Sequence, residues 1–130
     1  MVIRTILNDI IKTLKEHGGE MLAMGIEETK FIEFDDIAIK QYINRMKKLK
    51  LKERLLSRET AEIFYEGPQS EYRLLPDELF NPNPTHVYGD KIAIIVWGNP
   101  VFGIIIRSRQ IADANRKYFE ILWKMAKKRK

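Results

Sequence analysis

Apolar residues recur at helical spacing from the start of the chain. Ile3, Ile6, Leu7, Ile10, Ile11 and Leu14 alternate with Arg4, Asn8, Asp9, Lys12 and Lys15, which marks an amphipathic helix. The run ends at His17-Gly18-Gly19, where glycine accepts the left-handed backbone that closes a helix. Residues 20–26, EMLAMGI, form a short apolar run after the glycines and read as a buried strand. EETKFIEF, 27–34, fits no single period. A second helix is expected to begin near Asp35 or Asp36, either of which can cap it, with Ile39, Tyr42, Ile43 and Met46 as its buried stripe. The period then shifts toward alternation at Leu49, Leu51, Leu55 and Leu56, predicting a strand over 51–57. Strand, helix, strand in that order predicts a right-handed crossover between parallel strands.

The second half is richer in strands. Residues 58–67 read as a short helix or a turn, and SEYRLLP, 70–76, as a strand. Three prolines in the nine residues 76–84 predict an irregular loop. His86–Tyr88 is expected to be extended, Gly89-Asp90 a tight turn and Lys91–Trp97 a strand. Gly98-Asn99-Pro100 turns the chain again before a strand over Val101–Arg107. Apolar residues at successive positions imply cover on both faces, so this hairpin is expected at the centre of the sheet rather than at its edge. A last helix over 110–127 carries Ile111, Ala114, Tyr118, Leu122 and Met125 at helical spacing, flanked by Phe119, Trp123 and Ala126. KKRK, 127–130, is expected to close that helix, where cations complement its dipole. The pattern predicts the α/β class: a single domain over 1–130 with a mixed β-sheet and helices packed on both faces.

Composition narrows the function. The 130 residues suffice for one domain with a core of its own. No cysteine is present, which removes disulfides, cysteine zinc sites and cysteine nucleophiles. The formal charge of +5 permits contact with nucleic acid or an acidic partner without demanding it. No segment is long and apolar enough to span a bilayer, and the charged N-terminus does not resemble a signal peptide. A cytoplasmic protein without membrane contact is expected.

Candidate chemistry is sparse. The two histidines are His17, beside the glycines that end the first helix, and His86. No zinc-protease, phosphate-loop or nucleophile-elbow pattern occurs. Glu27, Glu28, Glu33, Asp35 and Asp36 cluster before the second helix; paired acids can bind metal or transfer protons, but acids also decorate helix N-termini. Arg45–Arg54 holds six Lys or Arg in ten positions and can grip phosphates. Interleaved Met46, Leu49 and Leu51 place those charges on a solvated face instead. Trp97, at a strand end, can line a pocket.

The order of motifs in YRLLPDELFNPNPTHVYGDKIAIIVWGNPVFGIIIRSRQIADANRKYFEILWKMA, 72–126, resembles the C-terminal half of the effector domain of TrmB-type archaeal transcription regulators. The elements are the Tyr-Gly-Asp-Lys turn, the strand ending in Trp97, GIIIRS and ANRKYFEILWKMA. Upstream, GGEMLAMGIEETKF and YINRMKKLKLKERLLS are similar to that domain's first strand, helix and second strand. The resemblance implies a phospholipase D-like half-fold. Active relatives of that fold carry His-x-Lys-x4-Asp. Counting from His86 puts Tyr88 and Ala93 at the lysine and aspartate positions; aligning through Asp90 puts Asn83 and Thr85 at the histidine and lysine positions. Neither register supplies the set, so Asp90 reads as a turn residue and no catalytic residue, metal or cofactor is assigned. The N-terminal winged helix of such regulators is not expected before the first helix of this sequence.

The expectation is therefore a non-catalytic ligand-sensing or protein-interaction domain. The resemblance implies a sugar or other small polar metabolite as ligand and a separate DNA-binding partner protein. The stripe of residues 1–16 suggests a dimerisation element and hence a homodimer. Candidate ligand-binding residues are Arg73, Asn83, His86, Tyr88, Trp97 and Asn99. The alternatives are a phosphodiesterase or nuclease of the phospholipase D type, which needs His86 in an open cleft beside a cation, and a basic nucleic-acid binder acting through Arg45–Arg54.

Overall fold

The computed structural model describes residues 1–129. Helix α1 spans Val2–His17, strand β1 Glu20–Met24, helix α2 Glu28–Lys48 and strand β2 Lys52–Arg58. Strands β3 (Ser70–Leu75), β4 (Thr85–Tyr88), β5 (Lys91–Val96) and β6 (Phe102–Arg107) follow, then helix α3 (Arg109–Met125) and the two-residue strand β7 (Lys127–Lys128). The seven strands form one mixed sheet in the order β6-β5-β4-β1-β2-β3-β7. The chain is a single α/β domain, as its pattern predicts.

Strand parity divides the core. Met21, Ala23, Leu55, Tyr72, Tyr88, Ala93 and Ile95 face α1 and α2, while Leu22, Leu56, Leu75, Val87 and Ile92 face α3. The β1–α2–β2 unit is parallel, with Met21 opposite Glu53 and Ala23 opposite Leu55. Strand β3 extends it in parallel and β4 joins the other side of β1 antiparallel. Every apolar residue of the α1 stripe is buried within this chain. The stripe is therefore covered by the chain's own sheet and by α2, which removes the reason for expecting it to seek a partner.

Helix α2 begins earlier than its expected start. Residues 28–34 already form helical turns, and Asp35 breaks them with φ −161° and ψ 79°. The Asp35 carboxylate then accepts from Ala38 N–H at 3.1 Å, so it caps the second segment as its residue type predicts.

Two expectations fail, for related reasons. The β5–β6 hairpin is not central, because β6 is the terminal strand of the sheet. Its apolar residues match a doubly covered strand in pattern, yet Phe102, Ile104 and Ile105 are exposed. Helix α3 turns the other way: Ala112, Phe119 and Trp123 are buried, while Ile111, Ala114, Tyr118 and Met125 face solvent. The helix carries two apolar stripes, and the sheet takes the one with the two large rings. That choice gains the greater buried aromatic area and two guanidinium stacks. Arg54 lies 5.2 Å from both the Phe119 and Trp123 ring centres, and Arg73 lies 4.5 Å from that of Trp123. The helix stops at Met125, and Lys127 and Lys128 leave it to pair with β3. Lys130 lies outside the described residues.

Candidate functional site

The most unusual chemistry lies in the core between α2 and the sheet. Glu53 shares inward parity with Leu55 on β2, so its carboxylate enters the apolar layer. Tyr42, from α2, donates to its Oε1 at 2.8 Å, and Ser70, from β3, donates to its Oε2 at 2.6 Å. Beside it, Tyr72 donates to the Glu28 carboxylate and accepts from Tyr65 N–H at 3.1 Å. Burial pushes the Glu28 carboxyl up to about 8, against the Tyr72 hydrogen bond that favours the charged form, and the nearby Glu53 adds to the rise. Burial also raises Glu53, opposed by its bonds from Ser70 and Tyr42. At neutral pH Glu28 is mainly a neutral acid held in a polar net.

His86 closes this cluster on the β4 side. It is 2% exposed, and burial lowers its pKa to about 4. Neither ring nitrogen has a hydrogen-bond partner among the described residues. His86, Glu28, Glu53 and Tyr42 line a common cavity with Leu7, Met21, Ile26, Phe31, Ile39, Ile43 and Leu55. The cavity is about 10 Å³, near the least volume that admits one water. Among the described residues no lysine or arginine lines it. The open cleft and neighbouring cation that a phosphodiesterase needs are not found at His86. Among the described residues no group of three His, Asp or Glu side chains is placed to hold a metal ion.

The expected pocket residues separate into three places. His86 and Trp97 are joined through Phe31, whose ring centre lies 6.2 Å from that of His86 and 5.1 Å from that of Trp97. Trp97 also stacks on the partly exposed Phe34 at 5.0 Å. Tyr88 shares the face of His86, but its hydroxyl donates to Asp9 at 2.9 Å, and burial raises its pKa strongly. Arg73 lies on the opposite face of the sheet, over Trp123, and donates to that residue's carbonyl at 2.9 Å. Asn83 and Asn99 are exposed in loops. The turn between β4 and β5 is structural. Gly89 has φ 58°, matching the type II′ hairpin that wants glycine first, and the Asp90 carbonyl accepts from Ser108 N–H at 2.8 Å.

Glu53, Tyr42 and Glu28 all lie outside the expected ligand-binding residues, and Glu28 is marked in the sequence only as one of a row of acids. The signal for Glu53 was present: Leu51, Glu53 and Leu55 alternate in phase, which puts the acid on the buried face.

Of the larger spaces, two open grooves are bordered by lysines. One, of about 530 Å³, lies at the N-terminal ends of β1, β2 and β3 and is lined by Glu20, Lys52, Arg54 and Ser70 among others. Its charges are engaged: Arg54 donates to Glu20 and Glu120, and Lys52 to the Pro68 carbonyl. The other, about 380 Å³, is bordered by Lys47, Lys50 and Lys52. Lys47, Lys48 and Lys50 are exposed and form no ion pair among the described residues. Among the described residues no helix is long and apolar enough to cross a membrane.

No family model matches the sequence, and no curated protein matches it. Among solved structures it is similar to TrmBL2, an archaeal chromatin protein with a novel mode of DNA binding, at a TM-score of 0.61 and 15% identity. The match covers 98% of this chain and 51% of that one, so this chain spans about half the length of the protein it matches. The likeness is one of fold: this chain is built on the same α/β framework as part of TrmBL2.

Proposed function

We propose that this chain is a non-catalytic, ligand-responsive recognition domain whose ligand is a sugar or another small polar metabolite. The observation that carries the reading is His86, buried with both ring nitrogens unpartnered, lining one cavity with two buried acids and a tyrosine. Buried polar groups without partners are unfavourable, and hydroxyl groups of a ligand can donate to and accept from this set. The cavity is too small for such a ligand as it stands, so binding requires the segment 28–34 to swing outward about Asp35. That segment holds Glu28 and Phe31 over the cavity and carries Phe34, whose stack with Trp97 offers an aromatic face. It lies beyond the C-terminal end of β1, where open α/β sheets tend to bind ligands.

A thermal-shift screen against neutral mono- and disaccharides tests this. A binder is expected to raise the Tm, and the rise is expected to vanish in His86→Phe and Glu53→Gln. No shift with any sugar, or a shift unchanged in both variants, would count against the reading. Hydrolysis of bis(p-nitrophenyl) phosphate that His86→Ala abolishes would contradict the non-catalytic half.

A second reading, a protein-interaction domain, has an observation of its own. Ile111, Ala114, Tyr118, Ile121 and Met125 follow alternate spacings of three and four along the exposed side of α3, the pattern of a coiled-coil seam. Lys117 and Lys124 border it on one side, so two copies laid antiparallel would oppose lysine to lysine. The fitting partner is an amphipathic helix with acidic flanks, carried by a separate protein such as a DNA-binding one. A synthetic helix with glutamate flanks is expected to bind, and one with lysine flanks is not. Equal binding of both, or of neither, would reject this reading.

A further inference from the structure

The two edges of the sheet are treated differently. At the β3 side the sheet ends in β7, two exposed lysines long. Short, lysine-bearing edge strands discourage further pairing. At the other side it ends in β6, six residues paired one for one with β5 from Phe102↔Val96 to Arg107↔Lys91. FGIIIR contains no proline and no lysine, and its one charge is at its end. Phe102, Ile104 and Ile105 are 51%, 44% and 41% exposed. An edge strand of this kind is a template for another strand.

The hydrogen-bond pattern fixes which backbone groups are available. Ile95 N–H bonds the Pro84 carbonyl on the β4 side, and Ser108 N–H bonds the Asp90 carbonyl. Bonding direction alternates along an antiparallel strand. Phe102, Ile104 and Ile106 therefore bond β5, and the N–H and C=O of Gly103, Ile105 and Arg107 point away from the sheet.

We propose that β6 docks on β6 of a second copy of this chain, antiparallel, with Ile105 opposite Ile105. This register alone pairs all three outward-bonding residues with one another: Gly103 with Arg107, Ile105 with itself, Arg107 with Gly103. It is self-complementary in charge, because each Arg107 meets a glycine rather than the other arginine. It is also complementary in shape. Gly103 and Ile105 border a groove of about 220 Å³ lined with Met1, Val2, Thr5 and Ile6 of α1, and the aliphatic stem of the incoming Arg107 fits along it. A Cβ on Gly103 would come within 2.7 Å of Ile6 Cδ1 and 3.0 Å of Val2 Cγ1. The glycine thus keeps α1 tight to the edge and leaves the strand face clear. The dimer joins two sheets into one continuous sheet and leaves the lysine edges outermost.

The absence of cysteine makes the test clean. In the full chain, Ile105→Cys places one thiol opposite its own copy, with Cα atoms about 5.5 Å apart, inside the range of about 4.4–6.8 Å that a disulfide spans. Mild oxidation is expected to link Ile105→Cys into a covalent dimer and to leave Phe102→Cys unlinked, since that pair sits at opposite ends of the paired strands. Light scattering is expected to show a dimer for the unaltered chain and a monomer for Ile105→Lys with an unchanged far-ultraviolet circular dichroism spectrum. If Ile105→Lys does not fold, the cysteine pair still decides. A monomeric unaltered chain, a dimer that survives Ile105→Lys, or equal linking of the two cysteine variants would overturn the proposal. The sugar and peptide experiments read other surfaces, so neither outcome depends on this one.

Discussion

At the scale of single residues, the molecule keeps two carboxyl groups and an imidazole in its core. Their ionisation gives a signed dependence of stability on pH. The Glu28 carboxyl titrates near 8 in the folded chain against an ordinary 4.5. Between those values the folded chain holds a proton that the unfolded chain has released. Stability therefore falls as pH rises across that window, and the loss is complete above about pH 8. Glu53, raised in the same direction, adds to the fall. His86, lowered to about 4 from 6.5, acts oppositely: the unfolded chain binds the extra proton, so stability rises with pH between those values. From pH 6.5 to 8 the carboxyl effect stands without this opposition. Each fully coupled proton contributes a slope of about 1.4 kcal/mol per pH unit. Urea unfolding of Glu28→Gln is expected to show a flatter profile over that interval than the unaltered chain. An unchanged slope would mean that Glu28 is not held protonated.

At the scale of elements, α3 is the case in which pattern and packing part. Helical spacing alone marks Ile111, Tyr118 and Met125 as readily as Phe119 and Trp123. The folded chain buries Phe119 completely and leaves Tyr118 63% exposed. Phe119→Ala is expected to lose about 3–5 kcal/mol, and Tyr118→Ala to stay within about 0.5 kcal/mol, in denaturant unfolding at equal m-value. The reverse order would restore the face that helical spacing first suggests. The same ambiguity hid the position of β6, because exposed and covered strand faces look alike in a list of apolar residues. Elements with one polar side were legible, α1 and the second segment of α2, and the parallel β1–β2 pair followed from the order strand, helix, strand. Residues 28–34 were not, because Glu28 and Phe31 are buried together and a buried acid reads as a surface one. The polar cluster needed β1, β2, β3 and β4 side by side before Glu53, Ser70, Tyr72 and His86 became neighbours.

At the scale of the whole molecule, the sheet separates three kinds of surface. The α1–α2 face encloses the polar cluster, the α3 face presents an apolar helix outward, and the β6 edge leaves backbone groups unpaired. Among the described residues no lysine or arginine borders the His86 cavity. The likeness to TrmBL2 is one of framework, so function rests on these local features. His86 is a buried imidazole whose burial favours the neutral form. Proton NMR of the His86 ring through a pH titration, with His17→Gln to assign the signals, reads this protonation state. A single titration centred near pH 4 is expected; a midpoint at or above 6.5 would place the ring in solvent or against a charged carboxylate and contradict a sealed, neutral imidazole.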